Sequence, residues 1–170
     1  EQLTSDEGRE FSPAISHDGK TLAYFYQPEY KGKTHLIVKD IATGMTDPFP
    51  YRSWNQKTQL QWRPNSSELL WVEYSNEGQA CSIGFQKVKF TPNMHGDDSG
   101  DENDESIEIN CNYNSQVKLA LTDNHTYYVD RKSINRPYAV FRYDHNINES
   151  HQLTLPKQDK NLKGDFNITI

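Results

Sequence analysis

The sequence predicts an all-β fold built from propeller blades, and three observations carry that prediction. A strand–turn–strand pattern recurs about every 50 residues: Ile15-Ser16-His17-Asp18-Gly19-Lys20-Thr21-Leu22-Ala23-Tyr24 returns as Trp62-Arg63-Pro64-Asn65-Ser66-Ser67-Glu68-Leu69-Leu70-Trp71, and again as Leu121-Thr122-Asp123-Asn124-His125-Thr126-Tyr127-Tyr128-Val129. Strand-only repeats of that length point to blades. Aromatics reach 12% while all hydrophobic residues make up only 34%, the balance expected of sheets that bury rings. The two ends also echo internal segments. Gln2-Leu3-Thr4 repeats as Gln152-Leu153-Thr154, and Phe11-Ser12-Pro13-Ala14-Ile15 as Phe166-Asn167-Ile168-Thr169-Ile170.

Taken in order, residues 1–10 read as the end strand of a preceding blade and a linker. Blade one is 11–50, with strands Pro13–Ser16, Thr21–Tyr26, His35–Ile41 and Thr46–Pro50. Asp18-Gly19 supplies its first hairpin turn and Gly44 its last, since glycine reaches positive φ at no steric cost. Blade two is 51–115, with strands Gln59–Arg63, Glu68–Tyr74, Gln79–Phe90 and Ser106–Asn112 and an acidic hairpin insertion at 91–105. Blade three is 116–155, with strands Val117–Leu121, Thr126–Arg131, Tyr138–Asp144 and His151–Leu155. Asn148 stands in it where Gly44 stands in blade one, as a second residue that tolerates positive φ. A linker and the first strand of a truncated blade occupy 156–170. Closed propellers have about four to eight blades, so three blades with strand stubs at both ends are expected to be a fragment. Its open edge strands are expected to pair, another copy being the natural partner.

The net charge is −6 and the pI about 5.5, so the chain lacks the basic footprint of a nucleic-acid binder. Its mean hydropathy is −0.94, and no apolar run approaches the roughly 18 residues of a membrane span. The two cysteines are Cys81 and Cys111. An antiparallel hairpin that sets Cys81 opposite Cys111 also sets Ile83 against Ile109, Phe85 against Ile107 and Lys87 against Glu105, with the apolar residues on one face. That agreement predicts a Cys81–Cys111 disulfide and an oxidising compartment. The alternative is a pair of buried free thiols in a cytosolic protein.

Little in the chain suggests catalysis. The Gly-x-Ser-x-Gly elbow of a serine hydrolase is missing, the six histidines show no metal-ligand spacing, and the cysteines are too far apart for a Cys-x-x-Cys motif. His17 takes a turn position and reads as structural. Asp97, Ser99, Asp101 and Asn103 alternate as calcium ligands would, but Glu102 stands where an EF-hand loop requires glycine. The segment reads better as a solvated hairpin tip. No cofactor is expected. Tyr24, Tyr26, Trp71, Tyr74, Tyr127, Tyr128, Phe141 and Tyr143 read as core. Tyr30, Tyr51, Arg52 and Trp54, in loops or at strand ends, make the better candidate interaction surface. Asn65, Asn124, Asn148 and Asn167 each open an Asn-x-Ser/Thr sequon, a weak signal in so Asn-rich a chain.

The repeats resemble the TolB-type, WD40-like propeller repeat. Leu3-Thr4, Ile15-Ser16-His17-Asp18-Gly19-Lys20 and Asp40-Ile41-Ala42-Thr43-Gly44 match its pattern well. Trp62-Arg63-Pro64-Asn65-Ser66 keeps the Trp and Pro but loses the Asp-Gly, and blade three keeps Asp123-Asn124 and the Phe141–Asp144 strand. Within that group the chain is most similar to the periplasmic part of a CadC/ToxR-like transmembrane transcriptional regulator. The resemblance implies a non-catalytic, extracytoplasmic sensor or protein-interaction module of a membrane-anchored parent. Its partner would be a protein or small ligand. DNA would be bound by an upstream domain and not by this piece. Two other readings are a substrate-gating propeller of a prolyl-oligopeptidase-like serine peptidase and a TolB-like envelope protein.

Overall fold

Each blade pattern in the sequence becomes one antiparallel sheet. The computed structural model describes residues 3–4, 7–30, 32–53, 56–74, 81–88, 105–110, 117–131 and 136–155. The strands are β1 (Arg9–Ile15), β2 (Thr21–Gln27), β3 (Thr34–Asp40), β4 (Thr46–Ser53), β5 (Gln56–Trp62), β6 (Glu68–Tyr74), β7 (Cys81–Lys87), β8 (Glu105–Ile109), β9 (Leu119–Leu121), β10 (His125–Asp130), β11 (Ala139–Asp144) and β12 (Glu149–Gln152). They form three four-stranded meanders, β1–β4, β5–β8 and β9–β12, with no crossover. Among the described residues there is no helix, and so none long and apolar enough to cross a membrane.

The second sheet lies between the other two. Every residue of β6 is buried, because alternation sends its side chains to two different cores. Leu69 and Trp71 join Ala23, Phe25, Leu36, Val38, Leu60 and Val88 between sheets one and two. Leu70, Val72 and Tyr74 join Ile83, Phe85, Ile107, Ile109, Tyr128, Phe141 and Tyr143 between sheets two and three. Trp71, Tyr74, Tyr128, Phe141 and Tyr143 are buried in these two cores, Tyr24 is buried outside them, and Tyr26 and Tyr127 are half-buried. Trp71 needs room, and β7 gives it: Gly84 is its cross-strand partner, and a Cβ on Gly84 would stand 2.5 Å from the indole.

The repeat extends to backbone detail. β1 and β5 are both bulged against their partners, and each bulge holds a residue at positive φ, Ser12 at 52° and Gln59 at 56°. Both residues lie three before the strand-end residues Ile15 and Trp62 that align in the repeat. The bulge breaks the two-residue alternation, so β1 starts four residues before the Pro13 that alternation alone suggests.

The β7–β8 hairpin corrects one expectation. Cys81 pairs with Ile109, Ile83 with Ile107 and Phe85 with Glu105, two residues away from the register that sets Cys81 opposite Cys111. A slip of two leaves every side chain on its original face, so the apolar pattern does not distinguish the two registers. Cys111, the acidic stretch 89–104 that holds Asp97, Ser99, Asp101 and Asn103, and the 156–170 segment all lie outside the described residues.

Candidate functional site

Three groups of polar residues could carry function, and they sit in different places on the stacked sheets. At one end of sheet one, the β2–β3 connection is closed by the Gly32 amide donating to the Glu29 carbonyl (2.8 Å) and by Gln27 Nε2 donating to the Gly32 carbonyl (2.7 Å). This turn lifts Tyr30 to the tip, where it is 90% exposed. The same end of the sheet receives the last residues of β4: Arg52 pairs with His35 and Ser53 with Thr34. Backbone pairing therefore brings the Tyr30 turn and the Tyr51-Arg52 stretch to one end of one sheet. Trp54 lies outside the described residues.

At the opposite end the acids are engaged in turn geometry. Asp18 Oδ1 accepts from the Ser16 hydroxyl (2.7 Å) and the Lys20 amide (3.1 Å). Asp40 Oδ1 accepts from the Thr43 amide (2.7 Å) and hydroxyl (2.8 Å). Asp144 Oδ1 accepts from the Asn146 amide (2.9 Å). Those donors hold all three carboxyls below the usual carboxylate range, the Ser16 hydroxyl acting on Asp18, the Thr43 amide on Asp40 and the Asn146 amide on Asp144. These carboxylates are turn braces. Exposed His17 sits in the first of the turns.

The third group is internal. Arg63, just past β5, pairs with Glu68 at the start of β6, and both side chains are buried. The Arg63 amide also donates to the Glu68 carbonyl (2.9 Å) across the same hairpin. From sheet three, His145 brings Nδ1 to 3.7 Å from Glu68 Oε2 and Nε2 to 2.8 Å from Thr126 Oγ1. Its ring stands edge-on to Phe85 and Tyr143, with centroids 5.0 and 4.9 Å away. Burial, with a smaller push from the Arg63 charge, lowers the His145 pKa to about 4, so the imidazole is neutral at neutral pH. Asn65 Nδ2 donates to Asp123 Oδ1 (3.0 Å) nearby. At the far end of the same contact, the Asn110 amide donates to Asp130 Oδ1 (2.8 Å) and Asn110 Nδ2 to the Arg131 carbonyl (2.8 Å). Burial raises the Asp130 carboxyl.

In the sequence alone, His145 is one of six scattered histidines, and nothing local ties it to Arg63 and Glu68. A signal was present: Arg63 and Glu68 flank a turn directly between Trp62 and Leu69-Leu70, where charged residues end up buried only if paired. What sequence could not supply was His145, which arrives from a different sheet. Among the described residues no three His, Cys, Asp or Glu side chains are grouped to hold a metal ion.

No protein-family model matches the chain, and no curated protein matches it. Solved structures do. TolB from Acinetobacter baumannii superposes with a TM-score of 0.58 at 14% identity, over 90% of this chain and 34% of its own. The β-propeller domain of the Trilobed protease from Pyrococcus furiosus gives 0.58 at 16% identity, over 85% and 43%. The acylaminoacyl peptidase of Pyrococcus horikoshii gives 0.59 at 16%, over 86% and 25%. The fold is a partial β-propeller. This chain spans about a third of the TolB chain and less than half of the propeller domain.

Proposed function

We propose that this chain is a non-catalytic protein-interaction part of a larger extracytoplasmic propeller, serving as a sensor in a membrane-anchored transcriptional regulator. The observation that carries the interaction reading is the Tyr30 turn. An aromatic side chain at 90% exposure stands at the end of a sheet whose neighbouring strand delivers Tyr51 and Arg52. Aromatic and arginine side chains are the residues that most often anchor protein interfaces. The extracytoplasmic placement is supported by the cysteines. Cys81 is buried at 4% exposure, no cysteine among the described residues is free, and Cys111 follows Cys81's ladder partner Ile109 by two residues. We therefore also propose the Cys81–Cys111 disulfide. The likeness to TolB is consistent with a periplasmic protein.

A second reading has its own support. Two of the similar structures are the propeller domain of a protease and a peptidase, which fits a propeller that gates access to a hydrolase domain encoded further along the same parent chain.

One experiment separates them. A photo-crosslinking amino acid is placed at Tyr30 in the parent protein, and the adducts are identified by mass spectrometry. The interaction reading predicts adducts to a second protein, abolished when Arg52→Ala is added. Adducts confined to a Gly-x-Ser-x-Gly domain of the same polypeptide would overturn it and establish the gate. In the regulator reading, the parent gene also encodes a winged-helix domain and one membrane span before Glu1.

A further inference from the structure

The contact between sheets two and three differs from that between sheets one and two in holding a histidine, His145, whose side chain is buried beside an ion pair. The latter is a hydrophobic cluster that includes a neutral hydrogen bond from Trp62 Nε1 to the Ala14 carbonyl (3.1 Å), with Glu73 buried on the Leu69–Trp71 face of β6. The former also has an apolar core, but it buries an ionic group at its turn end. Arg63 and Glu68 come from sheet two, His145 and Thr126 from sheet three. Only the imidazole changes charge in the mildly acidic range.

The charge balance of this cluster decides what acid does. The groups facing His145 are Arg63 and Glu68 on sheet two, and Thr126, His125, Tyr143 and Asp144 on sheet three, with the Phe85 ring between. Glu68 is already neutralised by Arg63, and Asp144 is engaged by His125 (3.3 Å) and its own turn. A proton on His145 therefore adds a second cation beside one buried carboxylate. Buried charge without its own counter-ion is strongly unfavourable. Opening the contact lets the imidazolium reach water.

We propose that His145 is an acid-labile pin between the second and third sheets, whose protonation loosens their contact while sheets one and two stay packed. The sign follows from the shift. The imidazole binds protons more weakly when the sheets are closed, so the pin holds fully above about pH 6.5. It weakens as pH falls and levels off near the closed-state value of about 4.

The test is hydrogen exchange of the 170-residue chain between pH 7 and 5, corrected for intrinsic exchange rates. Amides of β10 and β11 should lose roughly twenty-fold in protection between pH 7 and pH 5, the ratio expected for a pKa moving from about 4 closed to about 6.5 open. Amides of β2 and β3 should be little changed. His145→Gln keeps a donor and an acceptor but cannot titrate, and should flatten the response in β10 and β11. Imidazole titration by NMR in the unaltered chain provides the second arm, needed if the variant does not fold. A His145 midpoint well below 6.5 supports the pin, and one at the ordinary value overturns it. Equal loss in sheets one and three, or an unchanged pH response in His145→Gln, overturns it as well.

Discussion

Gly84 shows how one residue can decide a sheet. Its missing side chain is the space that the Trp71 indole occupies, and Trp71 is 1% exposed at the centre of the first core. Adding a methyl there forces either the indole off its rotamer or the β6 and β7 backbones apart. Gly84→Ala is expected to lower unfolding stability by about 1–3 kcal/mol, read as an earlier urea midpoint at unchanged slope. In a Trp71→Leu background the same change should cost much less, because the clash is with the ring. An equal cost in both backgrounds would assign the effect to strand conformation instead. Nothing in the sequence singles out Gly84, since it meets Trp71 only once the β6–β7 register is set.

At the scale of the element, the hairpin turns were largely legible and the registers only partly so. Gly19 and Gly44 do take positive φ, at 72° and 73°, and Asn148 takes the place of Gly44 at 54°. In the second copy of the repeat, where Asp18-Gly19 becomes Asn65-Ser66, positive φ moves to Asn65 at 49°. The hairpin keeps its length, closed by Arg63 N to Glu68 O as the first is by Ser16 N to Thr21 O. These turns are readable because left-handed backbone selects Gly and Asn locally. The β7–β8 register was not readable, because its two competing alignments bury the same apolar faces. Likewise, the bulges at Ser12 and Gln59 place non-glycine residues at positive φ with no local signal. For the turns, Asn148→Ala is expected to destabilise by about 1 kcal/mol, while Asn148→Gly should be neutral within a few tenths. Thermal unfolding of the two variants checks this, and equal losses would mean that the amide's contacts, and not φ, hold the turn.

For the molecule as a whole, the middle sheet is the part on which both cores depend. Sheets one and three each share a core with it, so whatever tightens β5–β8 tightens both interfaces. The proposed Cys81–Cys111 bridge would act there, where β7 faces the third sheet through Ile83 and Phe85. It would close a loop of about 30 residues that includes the acidic 91–105 segment, whose like charges favour an expanded unfolded chain. Constraining that loop in the unfolded state stabilises the fold by roughly 3 kcal/mol in the chain-entropy picture. The denatured, unreduced protein should therefore titrate no thiol. Reduction should lower the unfolding free energy by about that amount, with loss of protection in β7 and β8 ahead of β2 and β3. Two thiols in carefully oxidised native protein would remove the bridge, and with it the main chemical support for an extracytoplasmic setting. The partial propeller would survive that result, because its sheets are specified by strand alternation and turn chemistry that do not depend on the cysteines.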